Sequence, residues 1–410
     1  MNAESEACCL RVLSVIHSST YGGPHNQAVA LASSVPGLDL TVVLPAEPGD
    51  GASRLRSAGI DVVEMDLRRP RASLRNQGLF DLARNYPAQV RNLASLIDEK
   101  QIDVVEVHGL LNLDGAIAAR LRGSGVVWQL IDTRPPVVLR WAMMPFVIAL
   151  SDVIMTTGAS LATQYPGARL WPGRQISFVP PVLARDTTGA GRSETRLRLG
   201  VESDETLVVA IGNLNPQKGF DRLIEALCWP TETANLPQRP ALRIRGAVQA
   251  GHADYASLLS RHAAAKGFGD RAVGHLEAGL DVADLLGAAD IFALSSTGLS
   301  EGIPTVVLEA MTHGLAVVAT KVGAIQEVIS DGHSGFLVDP GDSAALRQCL
   351  AGLAADPARR LAVGRVAAQE AATLSSPERF ASAVVESWRL AMTLTARRAN
   401  RHKRSSRAPR

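Results

Sequence analysis

Apolar residues along the chain gather in short, unbroken runs instead of alternating strictly with polar ones. The runs of the first half are residues 11–19, 40–45, 62–65, 103–109, 126–132, 152–158 and 176–181, and those of the second half are 206–213, 241–246, 271–279, 290–296, 316–320 and 335–340. Segments with helical spacing of apolar positions lie between the runs. Because a strand without alternation is buried on both faces, the pattern predicts parallel sheets covered by helices, an α/β fold.

A polar segment, residues 183–205, separates the two series of runs. It is rich in Gly, Thr and Arg and lacks a long apolar run, which is typical of an interdomain linker followed by a short first helix. A chain of 410 residues is long enough for two cores. We therefore expect a first domain over residues 1–182, a second over 206–376, a helix over 377–396 that crosses back to the first domain, and a basic, disordered tail over 397–410.

Composition adds few constraints. A hydrophobic content of 46% with 20% charged residues is ordinary for a soluble globular protein, and a net charge of +2 argues neither for nor against a nucleic-acid partner. The four cysteines have no metal-type spacing, and the opening MNAESEACCL lacks the basic region of a signal peptide. We expect a cytoplasmic protein, in peripheral contact at most with the inner face of the membrane.

The most apolar stretch, Pro135–Met155, is interrupted by Arg140 and Asp152. These charges make it too broken to span a bilayer. It is predicted to be a buried helix that leads into a strand.

Candidate chemistry centres on Ser300–Met311, which follows the strand-like run 290–296. A loop that leaves a strand and enters a helix points free backbone N–H groups in one direction, and the helix dipole adds partial positive charge, which suits a phosphate. Pro304 fits the first turn of such a helix. Glu309 would accept hydrogen bonds from a ribose diol, and Glu301 would face the group that the phosphate carries. The alternative is that both glutamates are ordinary surface charges near a helix N-terminus.

The surrounding sequence resembles a known family. EGIPTVVLEAMTHGLAVVAT, residues 301–320, and GAIQEVISDGHSGFLVDPGD, residues 323–342, resemble the donor-site block of the family-4 retaining glycosyltransferases, the glycosyl transferases group 1. The resemblance extends from Arg11 to about Leu394 and is more specific in the second half. It implies the GT-B architecture, in which two Rossmann-like, doubly wound parallel-sheet domains face a cleft. It also implies a nucleotide-diphosphate sugar as donor, with the nucleotide in the second domain and the acceptor in the first.

The resemblance assigns donor-binding roles to individual positions. Lys218, in GNLNPQKGFD, stands where the family has a lysine that meets the diphosphate, whereas Asn213 replaces the family's arginine. Arg243 and Arg245 are candidates for the missing cation. The other donor-binding candidates are Gly22, Gly23, Gly302, Ile303, Pro304, Thr305, Val306 and Glu309.

Three positions are candidates for catalysis. Glu301 would stabilise positive charge at the anomeric carbon. His108 ends DVVEVHG, where relatives carry a similar His-Gly that faces the cleft, although a structural histidine at a strand end is the alternative. Asp132 ends WQLID, where the family usually has a His-Asp pair and this chain has Ile131 in place of the histidine. With Arg134, Asp132 is a candidate for acceptor contacts.

The implied chemistry is retaining transfer to a hydroxyl group of a polysaccharide, a lipid-linked glycan or a secondary metabolite. No Asp-x-Asp occurs in the sequence, so no metal ion is expected to bridge the diphosphate, and no cofactor is expected beyond the sugar donor. A nicotinamide-dependent oxidoreductase would need a Gly-x-Gly-x-x-Gly turn, which neither domain start has. A GT-B epimerase or phosphorylase and a non-catalytic partner protein remain open.

The segment Asp66–Asn92 carries six arginines against two aspartates. A solvated helix face is the simpler interpretation. A surface for an anionic acceptor or for membrane headgroups is the other.

Overall fold

The computed structural model describes most of the chain. The described residues are 10–67, 76–131, 135–167, 171, 173–182, 191–229, 238–248, 251–275, 280–298 and 302–405, with the backbone alone at 76–83 and 402–405. Contacts between Cα atoms divide the chain into two units. The first unit is Met1–Leu183 together with Pro377–Arg410, and the second unit is Ala184–Ser376.

The first unit is built on a seven-stranded parallel sheet. Its strands are β1 (Leu10–Val15), β2 (Leu38–Pro45), β3 (Asp61–Met65), β4 (Val104–His108), β5 (Gly125–Leu130), β6 (Val153–Thr157) and β7 (Gln175–Phe178), in the order β3-β2-β1-β4-β5-β6-β7. Its helices are α1 (Gly23–Ser34), α2 (Gly51–Ser57), α3 (Asn76–Glu99), α4 (Asp114–Arg122), α5 (Val137–Leu150) and α6 (Ala159–Thr163). The central strands are buried on both faces, as the unbroken apolar runs predict.

The second unit repeats the plan with six parallel strands. These are β8 (Leu207–Ile211), β9 (Ala241–Arg245), β10 (Val273–Gly274), β11 (Ile291–Leu294), β12 (Ala316–Thr320) and β13 (Phe336–Val338), in the order β10-β9-β8-β11-β12-β13. Its helices are α7 (Arg192–Leu199), α8 (Phe220–Leu227), α9 (Ala253–Ala265), α10 (Val282–Ala288), α11 (Thr305–Thr312), α12 (Ser343–Ala355) and α13 (Pro357–Leu374).

In both sheets the strand order reverses direction once. The reversal lies between β1 and β4 in the first unit and between β8 and β11 in the second. At such a switch point the loops leave the carboxyl ends of two neighbouring strands toward opposite faces of the sheet, and a crevice opens between them. The fold thus provides each unit with one natural place for a ligand.

The helix α14 (Pro377–Ser405) returns the chain to the first unit. It packs against α1 and against strands β4 to β7, and its apolar side chains Phe380, Val384 and Trp388 are buried in that core. Residues 397–405, which the sequence analysis assigned to a disordered tail, continue this helix. The basic composition concealed the extension, because it has no apolar periodicity of its own.

The segment predicted as a linker followed by a short first helix contains α7, and this helix belongs to the second unit. The Arg196 guanidinium, only 4% exposed, donates to the carbonyl of Ala288 at 3.0 Å and contacts the Asp290 carboxylate at 3.3 Å. In the sequence, such a buried arginine is indistinguishable from a solvated one, because the backbone carbonyls that accept from it are distant along the chain.

The structure also corrects the prediction for Pro135–Met155. A helix does lead into a strand there, but α5 is not buried: Val138 is 81% exposed and Trp141 is 64% exposed, whereas Arg140 is turned into the protein. Among the described residues, no helix combines the length and apolar character needed to cross a bilayer.

Candidate functional site

Two loops meet at the switch point of the second unit. The first, which we call the β8 loop, covers residues 212–219; the second, the β11 loop, covers 295–304 and is described at 295–298 and 302–304. The Thr297 N–H donates to the Gln217 carbonyl at 2.8 Å, and the Ser295 hydroxyl donates to the Lys218 carbonyl at 2.9 Å. These two bonds fix the path of one loop against the other.

Gly219 makes this close approach possible. Its φ is +60°, and a Cβ atom at this position would stand 2.2 Å from the Ser295 carbonyl oxygen. Any other residue would have to adopt a strained backbone conformation and displace a backbone carbonyl as well. The glycine after Lys218 is therefore required by the contact between the loops.

The β8 loop holds the two positions at which the sequence analysis looked for cations. A short 3₁₀ turn, Pro216–Lys218, begins where the Asn215 side chain accepts from the Gln217 N–H at 3.1 Å. The Lys218 stem lies over Gly212, where a Cβ atom would be 3.2 Å from Lys218 Cε. Lys218 is half-buried and Asn213 is exposed.

Arg243 and Arg245, the candidates for the missing cation, are used elsewhere. Arg243 is 5% exposed and its guanidinium donates to the Leu199 carbonyl, while Arg245 is 2% exposed and donates to the carbonyls of Ile244 at 3.1 Å and Ala272 at 3.3 Å. Both guanidinium groups hold backbone together beneath α7 and along β9. The structure thus gives no support to the idea that either replaces the arginine absent at Asn213.

The β11 loop leads into α11. Ile303 is 4% exposed and anchors the loop, and the Gly302 carbonyl accepts from the Ala324 N–H at 3.3 Å. Pro304 precedes the helix in an extended conformation, so the amides of Thr305 and Val306 stand in the first turn, where a helix has no internal acceptors. Those amides and the dipole of α11 can meet an anion.

Two further features lie near this point. Glu309, one turn into α11, is half-buried. Ser296 directly follows the residue that bonds to Lys218, and its hydroxyl is buried with no hydrogen-bond partner among the described residues. A buried hydroxyl at the end of a strand is a group that a ligand could satisfy. The sequence analysis missed Ser296, because a serine after an apolar run gives no signal of its burial.

The corresponding loop of the first unit contains Gly22 and Gly23 at the start of α1. The Gly22 N–H donates to His25 Nδ1 at 3.2 Å. No atom lies within 4 Å of a Cβ position at either glycine, so contacts within the protein do not explain why both are glycine. Bare backbone at a switch point leaves room for a ligand to approach closely.

His108, at the carboxyl end of β4, lies in the interior of the first unit. Its side chain is 4% exposed, and its Nε2 is 2.8 Å from the Ser14 hydroxyl. Burial lowers the pKa of His108 to about 3, so the ring is neutral near neutral pH. The structure therefore shows that the histidine at the end of β4 is buried and neutral. The alternative considered from the sequence, a structural histidine at a strand end, matches this environment.

Beside His108 lies a second buried group, Glu106. Its Oε1 accepts from the Trp388 indole N–H at 2.8 Å, and its Oε2 is 3.9 Å from His108 Nε2. Burial raises the pKa of Glu106 to about 7. The hydrogen bond between Trp388 and Glu106 connects α14 to β4 inside the core.

Several candidates cannot be placed. Glu301, Asp132 and Arg134 lie outside the described residues, as does most of the arginine-rich part of Asp66–Asn92. The structure brings Asn213, Lys218, Gly302–Val306 and Glu309 to one switch point, and Gly22, Gly23 and His108 to the other. Within the described part of the chain, no group of three or more His, Cys, Asp or Glu is arranged to hold a metal ion.

Comparisons with known proteins identify relatives of both units. Residues 205–356 match the family model described as glycosyl transferases group 1. The chain is 30% identical over 283 residues to a D-inositol 3-phosphate glycosyltransferase of Streptomyces avermitilis, which covers 66% of this chain and 58% of that protein. It is 31% identical over 242 residues to a GDP-mannose-dependent alpha-(1-6)-phosphatidylinositol monomannoside mannosyltransferase of Mycolicibacterium smegmatis, covering 55% and 60%. The chain thus spans about three-fifths of the length of the curated relatives it matches.

Solved structures extend the similarity to nearly the whole chain. HepE of Anabaena in complex with UDP-glucose superposes with a TM-score of 0.75 at 21% identity, covering 94% of this chain and 100% of that one. The sucrose-phosphate synthase of Thermosynechococcus elongatus gives 0.68 at 16% identity, covering 93% and 98%. At these identities the likeness establishes the fold, with one parallel-sheet unit after the other.

Proposed function

Because residues 205–356 match the model of the glycosyl transferases group 1 and the chain has the two Rossmann-like units of the GT-B fold, we propose that it belongs to that family and is a retaining glycosyltransferase. It transfers a sugar from a nucleotide-diphosphate sugar to a hydroxyl acceptor. The observation that carries the proposal is the locked pair of loops at the second switch point, which sets Lys218 and the first turn of α11 at neighbouring strand ends.

The arrangement suits the departure of a diphosphate. As the bond between the anomeric carbon and the phosphate oxygen breaks, negative charge grows on the phosphate and positive charge on the sugar. The Lys218 ammonium and the amides of Thr305 and Val306 stabilise the phosphate charge, and Glu309 accepts from the ribose hydroxyls. Glu301 stabilises the positive charge at the anomeric carbon.

Retention of configuration follows if the acceptor attacks the face from which the diphosphate leaves. The acceptor oxygen forms the new bond to the anomeric carbon, and its proton passes to the departing phosphate oxygen. No protein base is required in this scheme, which is consistent with a first unit whose His108 is buried and bonded to Ser14. Because the sequence lacks Asp-x-Asp, the Lys218 ammonium and the α11 dipole take the place of a bridging metal ion in this proposal.

The named relatives support hydroxyl-rich acceptors. One is named for D-inositol 3-phosphate and another for a phosphatidylinositol mannoside, and HepE was solved with UDP-glucose. We propose the same broad class here, a soluble polyol or a lipid-linked glycan.

The test is a calorimetric titration of UDP and GDP into the full chain and its variants. We expect Glu309→Ala to weaken nucleotide binding by roughly tenfold or more, because a charge-assisted hydrogen bond is lost, whereas Glu301→Ala should keep binding and lower turnover. Glu194→Ala, an exposed glutamate on α7 of the same unit, is the matched control and should behave as the wild type. Wild-type behaviour of both site variants would remove the assignment.

A second measurement separates rival functions. Incubation of the protein with donor alone would yield an epimerised sugar from an epimerase, and no detectable binding of UDP or GDP would indicate a non-catalytic partner protein. Turnover that disappears on chelation and returns with a divalent cation would contradict the metal-independent part of the proposal.

A further inference from the structure

In α5 the charged residue lies on the buried side of the helix and apolar residues lie on the exposed side. Its one charged residue, Arg140, is 8% exposed and donates to the Gln164 carbonyl at 2.6 Å. Met144 and Val147 join Arg140 on the buried side. The side that faces solvent contains no charged residue at all. A surface helix of a soluble protein normally has the opposite arrangement.

The exposed side of α5 is an apolar stripe. Val138 is 81% exposed, Trp141 64% and Phe146 55%, and they recur at helical spacing with Pro145 between them. Single exposed apolar residues are common on protein surfaces, but a continuous stripe that includes two aromatic rings marks a surface that meets something other than water. We call Val138, Trp141, Pro145 and Phe146, with the neighbouring Val137, Ala142 and Ala149, the α5 stripe.

Positive charge adjoins the carboxyl end of this helix. Asp152, two residues past the end of α5, is in contact with Arg120 Nη1 at 2.8 Å and with the guanidinium of Arg398 on α14. The Arg174 Nε donates to the Asp152 carbonyl at 2.8 Å. The guanidinium groups of Arg120 and Arg398 therefore contact one carboxylate, and that of Arg174 donates to the backbone carbonyl of the same residue, which leaves an excess of positive charge beside the end of α5.

The carboxyl-terminal part of α14 adds to this charge. Arg397 and Arg401 are exposed, and the sequence after Ala396 contains seven Lys or Arg residues and no acidic residue. Since Arg398 touches Asp152, the basic end of α14 begins next to the end of α5. The basic helix end thus adjoins the carboxyl end of the apolar stripe at Asp152, and we call the two together the α5–α14 surface.

We propose that this surface docks the protein on an anionic lipid bilayer, with the α5 stripe in the interfacial region and the basic end of α14 against the headgroups. An anionic bilayer has an apolar interior beneath negatively charged headgroups. The apolar stripe and the basic helix end are complementary to these two features. Trp141 is suited to the membrane interface, where an indole ring has both apolar and polar neighbours. The proposed contact is peripheral. Among the described residues, no helix is long and apolar enough to cross a bilayer.

The tryptophans supply a specific probe. The chain has five, and four of them are buried: Trp128 and Trp388 are 0% exposed, and Trp171 and Trp229 are 3% exposed. A change in tryptophan emission on addition of vesicles therefore reports on Trp141. We expect the wild-type emission to move to shorter wavelength with phosphatidylcholine vesicles that contain phosphatidylglycerol, and to be quenched when the acyl chains are brominated. Trp141→Phe should keep vesicle binding and lose both optical changes.

Co-sedimentation of the full chain with the same vesicles measures the energetics. Replacing both aromatic rings, Trp141→Glu with Phe146→Glu, should lower the partition coefficient by about tenfold or more, because each ring buries a large apolar area. Leu258→Glu, which alters a leucine 53% exposed on α9 of the second unit, is the matched control and should bind as the wild type does. Arg397→Gln with Arg401→Gln should reduce the preference for phosphatidylglycerol over pure phosphatidylcholine.

Three results would overturn the proposal. The first is wild-type protein that neither sediments with anionic vesicles nor changes its emission. The second is binding that survives the double glutamate variant or falls equally in Leu258→Glu. The third is a wild-type dimer in sedimentation velocity that the double variant dissociates, which would show that a second copy of the chain covers the stripe. Loss of nucleotide binding would test the proposed function and leave this proposal standing, because the α5 stripe contains no residue of the second unit.

Discussion

Replacement of Gly219 by alanine is expected to separate the two loops of the second unit's candidate site. The new methyl group would occupy a point 2.2 Å from the Ser295 carbonyl oxygen, far inside contact distance. Neither atom belongs to a flexible side-chain end, so the backbone of the β8 loop or of the β11 loop must move. Gly269→Ala is the matched control, because Gly269 also has a positive φ, +75°, but no atom lies within 4 Å of its Cβ position.

The magnitude follows from the contacts that would be lost. A left-handed backbone conformation costs a residue other than glycine about 1 kcal/mol, and both variants share that cost. In Gly219→Ala, separation of the loops also breaks the bond from Thr297 N–H to the Gln217 carbonyl and the bond from the Ser295 hydroxyl to the Lys218 carbonyl. At about 1 kcal/mol for each bond, the total is about 3 kcal/mol, against about 1 kcal/mol for the control.

The assay combines stability with ligand binding. Urea denaturation gives the free energy of unfolding of the second unit, followed by hydrogen exchange of the amides in β8 and β11. Calorimetry with UDP and GDP gives the affinity, which should fall in Gly219→Ala as the β8 loop, with Lys218, moves away from the β11 loop, and should persist in Gly269→Ala. If the two variants lose the same stability within about 0.5 kcal/mol and bind nucleotide equally, the close contact at Gly219 has no energetic weight and the reasoning is wrong.

Three more predictions concern single side chains. Burial raises the pKa of Glu106 from 4.5 to about 7 in the folded protein, so folding favours its protonated form. The stability advantage of the wild type over Glu106→Gln should therefore fall by up to about 3 kcal/mol as pH rises from about 4.5 to about 7. A stability difference that does not change over that pH range would contradict the burial argument. Asn213→Arg, at an exposed position of the β8 loop, should tighten UDP or GDP binding by roughly tenfold in calorimetry by supplying a second cation, and unchanged affinity would place the diphosphate away from this loop. Asp152→Ala should leave the guanidinium groups of Arg120 and Arg398 without their carboxylate partner and lower the free energy of unfolding of the first unit by about 3 kcal/mol in urea denaturation. Hydrogen exchange in α14 should become faster. If α14 keeps its wild-type protection, the contact of Arg398 with Asp152 does not stabilise this helix.

The sheets were predictable because their signal is local. An unbroken apolar run such as DIFALSS or AVVAT is long enough to identify a strand buried on both faces, and β11 and β12 lie within those runs. The candidate-site loops were predictable for a different reason: the sequence around Glu309 resembles a known family block, and the match to the family model covers residues 205–356. The Rossmann-like units and the GT-B fold were thus accessible before any coordinates.

Features that depend on partners distant along the chain were not predictable. The burial of Arg243 and Arg245 depends on the carbonyls that receive their guanidinium groups, among them that of Leu199, some 44 positions from Arg243. The interior position of His108 depends on Ser14, 94 positions away, and the exposed face of α5 depends on which side of an almost uniformly apolar helix packs inward. In α5 apolar content predicted burial, but a single charge, Arg140, fixes the orientation through its bond to the Gln164 carbonyl.

The return of α14 to the first unit has a consequence for the order in which the protein matures. The residues of α14 complete the core of the first unit, and Trp388, which donates to Glu106, is one of them. They follow the entire second unit in the sequence, so they leave the ribosome after it. The half that is synthesised first is therefore the half that is completed last, while the later half can acquire its structure as an uninterrupted segment. Until α14 arrives, a nascent chain holds an uncovered sheet face, and a chaperone that binds apolar surface would find its target there.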